Sequence, residues 1–290
     1  MIVEPICFGA DGRLFGVFHP AADEREDAPC VVVCSSWGPE AIRSHRAFAV
    51  LSRTLAERGC HVLRFDFTGQ GDSLGAEESI SLAQWEADIR EAVVELREGT
   101  DGRRVVLIGL RLGAALVLRV AGSDPVLSVD SVVCWDAVTN GGDYLAELDA
   151  LHQEWHRGSF ASQASAGTPA NPTEESPVDG DSGDQELLGF HVTSLFYHEL
   201  EKLDIKAENI SCSAAMLWIA TTGSPPSENL VHRLCPTATI LHEPHPPVWR
   251  KGENDDVLGG ALVPHDIVTK IADWILSGST PGDQPPSHGR

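Results

Sequence analysis

Apolar positions fall into two alternating patterns along this chain. Short, nearly unbroken apolar runs recur at Cys30–Cys34 (CVVVC), His61–Phe67 (HVLRFDF), Val105–Ile108, Ser131–Trp135 (SVVCW) and Ala214–Ala220 (AAMLWIA). Runs of this length, rich in β-branched residues, suit strands covered on both faces. Ala238–His242 reads as a last strand. Between the runs the spacing becomes helical. Arg46–Arg58 sets Phe48, Leu51 and Leu55 on one face and stops at Gly59. Leu82–Arg97 does the same with Trp85, Ile89, Val93 and Leu96, behind Ser81 as N-cap. Ala114–Leu118 reads as a buried helix, and Pro264–Leu276 as a closing helix with Ile267, Ile271, Trp274 and Ile275 inward. Ahead of them, Glu4–Phe18 reads as a hairpin turning at Asp11-Gly12. Strand and helix alternating in units of about 30 residues predict an α/β chain with a doubly wound, mostly parallel sheet.

The alternation breaks over residues 139–205. Gly142–His156 and Leu187–Leu203 keep helical spacing. Gly158–Asp184 is rich in Ser, Gly, Pro, Ala and acids, and carries too little apolar surface to offset the entropy of ordering it. The expected organisation is a core from residues 1–138 and 206–276, a helical lid-like insertion at 139–205 with a disordered loop at 158–184, and a disordered tail at 277–290.

Charge and cysteine content narrow the partners. Of 290 residues, 43 are acidic and 21 basic, for a net charge of −22. Such a surface repels nucleic acid and anionic membranes, so neither is an expected partner. No apolar run approaches the roughly 18 residues of a membrane span, and MIVEPICFGADG lacks the basic start and apolar core of a signal peptide. A cytoplasmic location is expected. Seven cysteines, odd in number and without Cys-x-x-Cys spacing, argue against disulfides and structural zinc. Histidines and acids are scattered without ligand spacing, so no metal and no cofactor is expected.

The candidate chemistry centres on Arg104–Leu118, RVVLIGLRLGAALVL. Strand, Gly-x-x-x-Gly turn and helix make the layout of a nucleophile elbow. Its middle position ordinarily holds an attacking serine; here it holds Arg111, followed by the helix-opening Leu112. A guanidinium stays protonated and is no nucleophile. Ligands in such sheets bind at the carboxyl ends of the strands. Trp37, Phe67, Arg111 and Asp136 fall there and are expected to surround one crevice.

Three stretches resemble the α/β-hydrolase superfamily: the loop after CVVVC, the stretch Arg64-Phe65-Asp66-Phe67-Thr68-Gly69-Gln70-Gly71-Asp72-Ser73, and the elbow. More narrowly, Gly109-Leu110-Arg111-Leu112-Gly113-Ala114 resembles the elbow of hydrolase-like proteins found beside exosortase systems, arginine included. Trp135-Asp136-Ala137-Val138 with Gly142 and Tyr144, and Pro246-Pro247-Val248-Trp249, resemble them as well. The resemblance implies an α/β-hydrolase fold. It also implies an acid after AAMLWIA, where Glu228 stands, and a histidine after the last strand, among His242, His245 and His265.

Two functions follow. The first is an enzyme acting on an ester, thioester or amide of a small acyl substrate without the elbow serine. Ser36, Asp136 and His245 would be its catalytic candidates, and Ser35, Trp37, Arg111 and Leu112 would hold ligand. Ser35 and Ser36 occupy the loop that supplies oxyanion N–H groups in such folds, and either hydroxyl, or the Cys34 thiol, would need an adjacent base. The second is a pseudo-hydrolase that binds an anionic ligand or a protein partner in a biosynthetic or secretion-linked pathway. Arg111 would grip a carboxylate or phosphate, or close an internal ion pair with Asp66, Asp136 or another acid.

Overall fold

A computed structural model describes residues 3–23, 25, 27–100, 103–165, 183–221, 227–250 and 263–277. Eight strands form one sheet: β1 (Glu4–Phe8), β2 (Leu14–His19), β3 (Cys30–Cys34), β4 (His61–Phe65), β5 (Val105–Leu110), β6 (Ser131–Trp135), β9 (Ala215–Ala220) and β10 (Thr239–His242). Their spatial order is β1-β2-β4-β3-β5-β6-β9-β10. β1 and β2 pair antiparallel, β2 runs antiparallel to β4, and every pairing from β4 onward is parallel. This is the doubly wound, predominantly parallel sheet that the alternation predicts.

Strand periodicity sorts side chains into two cores. Cys30, Val32 and Cys34 of β3 face one layer, built on α2 (Leu82–Glu98) and α3 (Leu112–Ser123). Val31 and Val33 face the other, built on α1 (Gly38–Glu57) and α7 (His265–Leu276). Both faces are covered, so the central strands read as unbroken apolar runs. Ser81 caps α2 as expected, its hydroxyl accepting from Gln84 N.

Several elements differ from expectation. α1 begins at Gly38, eight residues before the predicted start, because Pro39 lies in its first turn, where proline is preorganised for helix. Glu40 and Ser44 are thereby helical. α4 (Gly141–Ser165) runs into the segment read as disordered; the remainder of that reading, residues 166–182, lies outside the described residues, as does the tail beyond 277. The stretch read as one helix over 187–203 instead makes a small hairpin, β7 (Gln185–Leu187) and β8 (Phe190–Val192), followed by α5 (Ser194–Lys202). Leu188 and Gly189 both take positive φ, 57° and 84°, at its two-residue turn. α6 (Glu228–Leu234) was not foreseen.

All seven cysteines are free thiols; six are buried and Cys7 is exposed. Burial pushes the thiols of Cys30, Cys34, Cys60, Cys134 and Cys212 upward. Among the described residues no helix is long and apolar enough to cross a membrane, and no cluster of side chains could hold a metal ion.

Candidate functional site

Arg111 sits on a sharp turn between β5 and α3, at φ 53° and ψ −117°. A side chain in this region of backbone space is strained and persists only where its surroundings fix it. Those surroundings are tight. Arg111 N donates to Trp135 O at 3.0 Å, and Arg111 O accepts from Ala114 N and Val138 N, each at 3.1 Å. A Cβ on Gly109 would lie 2.5 Å from Ala114 Cα, and one on Gly113 would lie 2.3 Å from Ser35 O. The two glycines therefore let the turn close and let the loop after β3 press against it.

The Arg111 guanidinium enters a ring of protein groups. Its Nε donates to Glu40 Oε1 at 3.0 Å and its Nη2 to Glu147 Oε2 at 2.5 Å. Its Cζ lies 5.3 Å from the Tyr144 ring centroid and 5.1 Å from that of Trp249, within cation–π range. Glu40 Oε2 accepts from Ser36 Oγ at 2.5 Å and from Tyr144 OH at 2.9 Å. The Arg111 side chain is 12% exposed and that of Glu40 5%. Burial alone would lower the Arg111 pKa, but Glu40 and Glu147 outweigh it and hold the guanidinium above its ordinary value. Burial pushes the Glu40 carboxyl up against the opposing pull of Arg111, Ser36 and Tyr144. A cation at the positive end of α3 is unfavourable alone; the two carboxylates supply the counter-charge.

Of the remaining candidates Ser36 reaches this cluster through Glu40, and Trp37, Asp136 and His245 do not join it. Ser36 is buried and its hydroxyl is committed to Glu40. Trp37, expected at the crevice, is core: its ring packs on Phe190 and Phe196 at centroid distances of 5.7 and 5.9 Å. Phe67 is likewise core, stacked on Trp85 at 4.9 Å. Leu112 is fully buried behind the turn. Asp136 accepts from Thr221 N at 2.8 Å and Thr221 Oγ1 at 2.5 Å, tying the end of β6 to the end of β9. His245 donates its backbone N–H to Thr221 O at 3.1 Å, and its Nδ1 lies 2.7 Å from Pro246 O. Asp66, offered as a partner of Arg111, instead accepts from Asp72 N at 3.1 Å within its own turn. Glu228 and His242, the acid and base positions implied by the resemblance, approach to 3.9 Å as an exposed pair.

Glu40 and Glu147 were missed in the sequence. Glu40 was missed because the start of α1 was placed too late. Glu147 had one available signal: it lies three residues after Tyr144 on one face of α4.

A cavity of about 400 Å³ lies beside the plugged turn, not in it. Ser35 and Ser36 border it, as do Phe15, Phe48, Arg64 and Phe190; Arg111, Trp37, Leu112, Asp136 and His245 do not.

The chain matches the alpha/beta hydrolase family over residues 30–274. Among solved structures it is similar to DcsB in complex with its substrate analogue (TM-score 0.63, 15% identity, covering 96% of this chain and 99% of that one). It is similar to Est1E of Butyrivibrio proteoclasticus with bound ferulic acid (TM-score 0.61, 14% identity, 91% and 95%). The proline iminopeptidase of Mycobacterium smegmatis is also similar (TM-score 0.59, 14% identity, 97% and 100%). At these identities the likeness is one of fold. No curated protein sequence matches. The family match spans most of the chain, and the eight-stranded sheet agrees with it: this protein belongs to the alpha/beta hydrolase family.

Proposed function

We propose that this protein is a hydrolase-derived binding protein that does not carry out serine hydrolysis. One observation carries the reading: at the strand-to-helix turn read as the elbow stands a guanidinium whose hydrogen bonds end on Glu40 and Glu147. A nucleophile, its base and an open approach for an acyl carbon must act as a unit, and the ion cluster fills that place. The resemblance to exosortase-associated proteins with the same arginine supports a binding role in a biosynthetic or secretion-linked pathway. The cavity of about 400 Å³ favours a small ligand over a protein partner. Free, buried thiols favour a reducing compartment, and so the cytoplasm.

The test offers activated esters and thioesters to the wild-type protein and to Arg111→Ser. The expected result is no turnover above buffer for either. Wild-type turnover that survives repurification would overturn the reading.

A second reading rests on the 2.5 Å contact between Ser36 Oγ and Glu40 Oε2. A carboxylate at that distance could take the proton of an attacking serine, and Ser36 borders the cavity. This reading requires turnover abolished by Ser36→Ala and retained in Thr221→Val, which disturbs only the Asp136 contact.

A further inference from the structure

The cavity is a groove between the first turns of α1 and strands β2 and β4, inside the β1 edge of the sheet. Phe15 and Val17 of β2, Arg64 of β4 and Val33 of β3 line its floor. They share the face of the sheet that α1 packs on, since Val31, Val33, Val62 and Phe48 belong to that core. β2 lies one strand beyond β4 at this edge, and the groove opens where α1 leaves its face uncovered. Ala41, Ile42 and His45 of α1 form the wall, and Ile42 is 68% exposed.

Arg64 is the unusual group. It is half-buried, and its one hydrogen bond runs from Nε to His19 Nε2 at 3.2 Å. Asp66, two residues along the chain, acts on it through space but beyond ion-pair distance, and no described protein group takes a hydrogen bond from its terminal nitrogens, which carry four N–H donors. His19 is buried and neutral, because burial first, then Arg64 and Arg53, push its imidazole down to about 4. It accepts from Arg64 without neutralising it. In a chain with 43 acidic residues against 21 basic ones, a half-buried arginine with no carboxylate at ion-pair distance is conspicuous. Buried charges are ordinarily paired.

We propose that this groove binds a small organic monocarboxylate with an apolar or aromatic body, its carboxylate held by the terminal nitrogens of Arg64. This deepens the binding role above, on which it rests, and moves the ligand from the plugged turn to the α1 face. The guanidinium fork matches a carboxylate in a bidentate pair. Phe15, Phe48 and Phe190 supply apolar wall for the body. The volume falls in the range of small-molecule sites. Asp66 and Asp72 also line the groove and oppose each further negative charge, which favours a monocarboxylate over di- and trianions.

Titration calorimetry on the full chain tests this with benzoate and octanoate as carboxylates, benzamide as an uncharged analogue, and inorganic phosphate as an anion without an apolar body. At least one carboxylate is expected to bind wild-type protein, with benzamide and phosphate about tenfold weaker or worse. Arg64→Gln is expected to cut carboxylate affinity about tenfold or more while leaving the weak benzamide binding in place, which also shows that the variant is folded. Ile42→Trp, on an exposed helix position, is expected to weaken every groove ligand. Carboxylate binding unchanged in Arg64→Gln, phosphate binding as well as benzoate does, or no binding by folded wild-type protein overturns the inference. Binding lost in Arg111→Met but kept in Arg64→Gln overturns it too, yet leaves the binding role standing. Ester turnover by wild-type protein fells the binding role whatever the calorimetry shows.

Discussion

Two arginines stand near the carboxyl ends of β4 and β5, parallel strands on either side of β3, and meet opposite fates. Arg111 is met by Glu40, Glu147 and two aromatic rings. Arg64 is met by one neutral imidazole, by Asp66 beyond ion-pair distance, and by a cavity. Both give up hydration. Only Arg111 regains from protein what it lost, and its surroundings form a finished structural knot. Arg64 keeps terminal donors that no described protein group takes up. The turn at Arg111 is therefore filled by protein groups, while the groove beside Arg64 is open.

This contrast is best broken through stability. The largest effect is expected at the knot. Glu40→Ala leaves Arg111 short of a carboxylate and strips Ser36 and Tyr144 of their acceptor. Removing one partner of a buried ion pair costs about 3–5 kcal/mol, readable as a fall in the urea midpoint. A loss under about 1 kcal/mol would mean that the knot is ornamental.

Next comes acid sensitivity beneath Arg64. His19 titrates at about 4 in the folded protein against an ordinary 6.5. Between those values the unfolded chain binds a proton that the folded chain refuses, so stability falls as pH drops from 6.5 to 4, by up to about 3 kcal/mol. Burial raises Asp66 and Glu40 and acts in the opposite direction on acidification. The measurement is therefore the difference in pH dependence between wild type and His19→Gln. Superimposable curves would show that His19 does not differ between folded and unfolded chains.

The third experiment separates the arginines directly. Arg64→Met removes a half-buried cation that has no carboxylate at ion-pair distance, and is expected to leave stability unchanged or raise it by about 1 kcal/mol. A loss matching that of Glu40→Ala would show that Arg64 is structural and erase the contrast. The smallest effect belongs to Glu147→Gln, at the rim, where the carboxylate side chain is 35% exposed. Its cost should stay under about 1 kcal/mol by thermal melt.

Much of the fold was legible in the sequence for a physical reason. CVVVC and SVVCW are buried on both faces, so their boundaries in the chain and in the sheet coincide. Gly109 and Gly113 announced a turn that no Cβ could enter. The insertion was less legible. β7 and β8 are three residues each, too short for a period of two to show, and Leu187-Leu188 beside Phe190 imitates helical spacing. The site was legible at Arg111 and no further. Its partners come from α1 and α4, 71 and 36 residues away in the chain. The small residues Ser35-Ser36 and then Gly38-Pro39 hid the helix that carries Glu40. Arg64 was hidden differently: within HVLRFDF it looks like one polar residue in a strand, and nothing local reveals that the neighbouring strand leaves space beside it.

The distribution of thiols has a practical corollary. Six of the seven are shut away from solvent, while Cys7 is exposed on β1 and pairs across the sheet with Phe15, which lines the groove floor. A maleimide dye would therefore mark the native protein at a single place without mutagenesis, one strand from the groove. Its emission would give a direct optical titration of whatever enters there.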